Sequence, residues 1–109
     1  MATDTEESDT EARQQQRRVT LRKREMLDKA LRDMVEEWAN AQEKFPDNKH
    51  QLTALNEEVG ELNQAMLEHQ YGNVPAEAVY EEAMQVAAMA MRVALEGDHS
   101  FDYESAHAG

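Results

Sequence analysis

The 109-residue chain has no cysteine, which excludes disulfides and thiolate chemistry. Only four glycines and two prolines are present, so few positions can interrupt a helix, and there is no glycine-rich phosphate loop. No nucleophilic triad or zinc pattern occurs either. The longest apolar run, Val86 to Met91, is far too short to span a membrane, and no signal-peptide pattern is present. Basic residues are scarce: 11 Lys and Arg face 23 Asp and Glu, for a net charge of −12 and a pI near 4.6. Such a balance disfavours nucleic acid and anionic membranes as partners, because polyphosphate backbones need basic surface. Together these absences lead to the expectation of a cytoplasmic protein with no membrane and no nucleic-acid partner.

What the chain does have is the stretch Asn56 to Glu68. At 100° per residue, Leu52, Leu55, Val59, Leu62 and Met66 form one apolar stripe, and Glu58 and Glu61 lie on its flank one turn apart. A second copy begins 24 residues later: Glu81-Glu82-Ala83-Met84-Gln85 repeats Glu57-Glu58-Val59-Gly60-Glu61 with an amide in the last place. If the copies form an antiparallel hairpin, Glu58 stands level with Gln85, and Glu61 with Glu82, about a midpoint at Tyr71-Gly72. An independent turn signal sits there, Tyr71-Gly72-Asn73-Val74-Pro75, with a glycine to stop one helix and a proline to start the next. Four oxygen-bearing side chains therefore converge at one level. Like charges so crowded raise one another's pKa unless a cation neutralises them, and hard oxygen donors suit magnesium or manganese. The alternative is two solvated acidic faces on ordinary amphipathic helices.

The pattern Glu-Glu-x-x-Glu, a gap, then Glu-x-x-Asp resembles the signature of the all-α nucleoside triphosphate pyrophosphohydrolases, the MazG-like superfamily. Glu57 to Leu62 resembles its first half closely, and Glu82 to Gln85 its second, except that Gln85 stands where the family has aspartate. The resemblance spans roughly Leu27 to Gly97. It implies an oligomeric helical bundle, magnesium held by Glu58, Glu61 and Glu82 with Gln85 as a weaker fourth ligand, and hydrolysis of a nucleoside triphosphate to monophosphate and pyrophosphate. On that reading Glu57 or Glu61 is the candidate catalytic base. Trp38, His50 and Arg92 are candidate substrate contacts, with a core role for Trp38 and an ion pair of Arg92 with Glu96 or Asp98 as alternatives. The rival function is a non-catalytic acidic helical adaptor or nucleotide-binding protein that has lost full metal ligation.

The spacing predicts an all-α fold: a long N-terminal helix, then an antiparallel helical hairpin, forming an oligomeric four-helix-type bundle. Leu27, Leu31, Met34, Trp38, Ala41 and Phe45 mark the first helix, which starts at Val19 or upstream and ends before Pro46. Asn48 and Gln51 suggest a capping box opening a second helix over 49–70, and a third helix runs over 76–96 to Gly97. Residues 1–18 read as an acidic, then basic, tail, disordered or partly helical; 19–97 as the domain; and 98–109 as a C-terminal tail in which Phe101 and Tyr103 pack back. Arg13 to Arg32 carries eight of the eleven basic residues, read chiefly as a counterpart to acidic surface or as a solvated face. A single short bundle hides little surface, so a homo-oligomer, dimer or tetramer, is expected.

Overall fold

The computed structural model describes residues 4–47, 49–97, 101 and 103–108, and it is all-helical. Helix α1 runs Asp4–Lys44, α2 Gln51–Gln70, α3 Ala76–Glu96 and the short α4 Tyr103–His107. The chain divides into two units, Met1–Arg32 and Asp33–Gly109.

Helix α1 is longer than the sequence predicts. It continues through the acidic stretch, read as a disordered tail, as far as Asp4. Two physical reasons support this: no glycine or proline precedes Pro46, and carboxylates at a helix N-terminus complement the positive end of its dipole. Along this extension Thr10 Oγ1 donates to the Glu6 carbonyl and Thr20 Oγ1 to the Gln16 carbonyl. The C-terminal end falls before Pro46, as predicted, with Phe45 N–H still bonded to the Ala41 carbonyl.

Helix α2 begins at Gln51, two residues later than predicted, and Asn48 of the expected capping box lies outside the described residues. Asp47 Oδ1 accepts the Lys49 backbone N–H at 2.7 Å, so an Asx-type turn leads into the helix. At its other end Gly72 has φ of 79°, with Gly72 N–H bonded to the His69 carbonyl and Asn73 N–H to the Glu68 carbonyl. This paired closure is the Schellman arrangement, which the left-handed glycine permits. His69 Nδ1 and the Val74 carbonyl, 2.8 Å apart, tie the turn together before Pro75 caps α3. Helix α3 occupies the predicted residues and stops at Gly97, whose φ is 68°.

Helices α2 and α3 pack as the predicted hairpin, with Ala65, Ala88 and Met89 buried. The apolar stripe proposed for α2 is split. Leu55 and Leu62 are half-buried together with Ala54, Glu58 and the buried Gln51 and Ala65, whereas Leu52, Val59 and Met66 are exposed. The inner face of α2 thus contains carboxylate and amide at positions where a simple bundle places leucine. Among the methionines of α3, Met89 is core and Met91 exposed.

From Asp33 onward, α1 joins the hairpin through polar side chains. Tyr80 Oη donates to Asp33 Oδ2 at 2.6 Å, and Gln42 Nε2 donates to Glu96 Oε1 at 2.5 Å. Arg92, only 1% exposed, makes the central link: Nε to Glu96 Oε2 at 2.7 Å, Nη2 to the Phe45 carbonyl at 2.6 Å and Nη1 to the Ala41 carbonyl at 3.4 Å. It thereby caps the carbonyl end of α1, where helices leave acceptors unsatisfied. Helix α4 touches α3; its Tyr103 and His107 rings stack at 4.0 Å, and His107 Nδ1 lies 2.9 Å from the Tyr103 carbonyl.

Candidate metal centre and adjoining cleft

Glu58 and Glu61 sit one turn apart on α2, and the hairpin brings Glu82 of α3 to their level. One oxygen from each carboxylate lies within 4.8 Å of the others. Glu58 and Glu82 are half-buried, while Glu61 is exposed. Glu58 Oε2 and Glu82 Oε2 are both buried and find no hydrogen-bond partner among the described residues. Buried acceptors in that condition are costly, and buried oxygens of this kind are nearly always satisfied by a donor, a water or an ion.

Electrostatics report the same conflict. Burial first, then the charges of Glu61 and Glu82, push the Glu58 pKa up to about 7. Burial, then the Glu61 charge and a hydrogen bond with Glu61, also raise the Glu82 pKa, with a smaller contribution from Glu81. The donor set is all oxygen and its carboxylates repel one another, which fits a hard divalent cation better than a soft metal.

The acidic level is reached from two sides. On one lies a cleft of about 610 Å³, within the range of small-molecule sites, which Glu57, Glu58, Gln85, His50 and Arg92 help line. On the other, Glu61, Glu81 and Glu82 line a smaller cavity of about 270 Å³. Gln85, the expected fourth ligand, and Glu81, a carboxylate one turn before it on α3, therefore open onto different cavities.

The structure brings together most of the residues singled out in the sequence. Glu58, Glu61 and Glu82 meet, and Gln85, Glu57 and His50 share the larger cleft with Glu58. Arg92 lines that cleft too, but its guanidinium is bonded to Glu96 and to two backbone carbonyls, so the ion-pair alternative is the one realised. Trp38 is not among the residues lining this cleft; it is half-buried, with its indole N–H buried and unpartnered among the described residues.

Gln51 was missed. It is 3% exposed, lines the larger cleft, and its amide nitrogen has no partner among the described residues. The signal was available: seven residues before Glu58, it falls within about 20° of the same helical direction.

No protein-family model matches the chain, and no curated protein or solved structure matches it either. The resemblance to the MazG-like pyrophosphohydrolases rests on the two acidic motifs alone.

Proposed function

We propose that this chain is a magnesium- or manganese-dependent nucleoside triphosphate pyrophosphohydrolase acting as a homo-oligomer. The observation that carries this reading is the acidic level of Glu58, Glu61 and Glu82, with two buried carboxylate oxygens that find no partner among the described residues, beside a cleft large enough for a small molecule. Glu58, Glu61 and Glu82 would hold the cation, with Gln85 offering a neutral fourth oxygen. A bound divalent ion supplies charge neutralisation of the polyphosphate and polarisation of its α-phosphorus. Glu57, exposed at the rim of the larger cleft, or Glu61 accepts the proton from water as its oxygen attacks that phosphorus; the bond to the bridging oxygen breaks and pyrophosphate departs. Exposed Leu52, Val59 and Met66 on α2 supply an apolar face for a second copy.

Gln85 favours a second reading, a nucleotide-binding or adaptor protein with incomplete ligation, because an amide brings no charge to the site. Magnesium-dependent pyrophosphate release across a panel of nucleoside triphosphates separates the two. Hydrolysis that Glu61→Gln abolishes supports the enzyme, whereas none at millimolar magnesium or manganese rejects it.

A further inference from the structure

The larger cleft has two chemically distinct ends. Towards the middle of α2 it is acidic, through Glu57 and Glu58; at the start of α2 it is bounded by Asp47, His50 and Gln51. Gln51 is the informative residue there, because it is 3% exposed, contributes to the cleft wall, and leaves its amide nitrogen without an acceptor among the described residues. A buried donor left unmade costs about 1 to 3 kcal/mol, so this position favours an acceptor beyond the described residues, which a molecule in the cleft would supply. The N-terminal end of α2 opens on the same place, and His50, its N-cap residue, makes no side-chain cap bond. A helix N-terminus concentrates partial positive charge, which again favours an oxygen acceptor over a donor.

Gln51 and Glu58 are seven residues apart on one helix face, about 10 Å along the axis. That separation leaves room for a sugar between a phosphate held near Glu58 and a group met by Gln51. Resting on the proposed nucleotide chemistry, we infer that the Gln51 end of the cleft receives the nucleobase, and that its amide N–H donates to a ring carbonyl, selecting keto bases over their amino counterparts. Uracil and cytosine make the cleanest contrast, since the group at C4 is an acceptor in one and a donor in the other. Sites built to hydrogen-bond one group discriminate strongly against analogues that leave the buried partner unpaired.

The test is calorimetric titration of UMP and CMP, and of IMP and AMP, into the full chain, alongside pyrophosphate release from the matching triphosphates. Wild type should bind each keto nucleotide roughly tenfold tighter than its amino partner, the scale of one hydrogen bond left unmade. Gln51→Met, close in size and apolar, should bring both ratios near one, and Gln51→Glu, which presents an acceptor, should invert them. Circular dichroism confirms that each variant remains helical. A wild-type ratio near one, or a ratio that Gln51→Met leaves unchanged, overturns the inference and means that the donor is met by water; pyrophosphate release can still stand in that case. Gln51-dependent keto selectivity without any hydrolysis upholds the inference and rejects the pyrophosphohydrolase. Absence of binding by every keto nucleotide overturns it outright.

Discussion

Arg92 and the Glu58 level lie on the same hairpin, and both take ionisable groups away from water, but they are resolved in opposite ways. Arg92 is matched: a carboxylate and two helix-end carbonyls receive its guanidinium. Glu58 and Glu82 are unmatched: each meets another carboxylate, Glu61, whose charge and hydrogen bond raise its pKa, and each keeps one buried oxygen without a partner among the described residues. The difference separates a fastening from a cluster whose repulsion a cation would relieve. A satisfied buried charge is a fastening between elements, and an unsatisfied cluster of one sign raises the free energy of the folded chain until a ligand of the other sign arrives.

The largest effect should come from breaking the matched side. Arg92→Ala removes the guanidinium that links Glu96 to the end of α1 and should lower unfolding free energy by about 3 to 5 kcal/mol in urea denaturation. The unmatched side should respond with the opposite sign. Glu58→Gln removes one repelling charge and should stabilise the metal-free protein by about 1 kcal/mol at pH 8, after allowance for solvent screening, while weakening magnesium binding in calorimetry. A loss of stability in Glu58→Gln, comparable to that in Arg92→Ala, would erase the distinction between the two regions.

The same contrast should appear as a function of pH. Glu58 has its folded pKa raised from 4.5 to about 7, so the folded state holds a proton that the unfolded chain has released between those values. Stability of the metal-free protein should therefore fall as pH rises through that window, and level off above it. Millimolar magnesium should raise the melting temperature more at pH 8 than at pH 5.5, because protons compete with the cation for the same oxygens. An equal shift at both values would locate metal binding elsewhere.

The smallest effects concern the completion of the oxygen set. Gln85→Asp adds a charge at the cost of reach and should tighten magnesium binding severalfold, whereas Gln85→Ala should weaken it. Glu81 shares the smaller cavity with Glu61 and Glu82, so Glu81→Gln should reduce affinity more than Glu57→Gln does. Titration calorimetry on these four variants ranks the contributions. Indistinguishable affinities would make the level a solvated acidic face.

The hairpin was legible in the sequence because its signals are local and mutually consistent. Gly72 and Pro75 mark the turn, Gly97 marks the stop, and the repeated acidic motif is symmetric about that turn. What escaped depended on geometry across elements. Composition made residues 4–12 look unable to fold, since composition does not register that nothing there breaks a helix. Periodicity placed Leu52, Val59 and Met66 on the core stripe, since a 3.6-residue period locates a face without saying where its centre lies. For Arg92 the i, i+4 spacing offered the ion pair with Glu96 beside a phosphate contact, but not the backbone carbonyls of another helix, which no side-chain pattern encodes.

The outward residues of α2 are spaced at sevens: Leu52, Val59, Met66. A straight α-helix drifts by about 20° for each such interval, so this line of apolar contacts winds slowly around the axis. A neighbouring helix that follows the line must incline, crossing α2 at about 20° in the left-handed sense of a coiled coil. The exposed face thus specifies a handedness for whatever helix lies against it, and a perpendicular crossing would touch only one of the three residues.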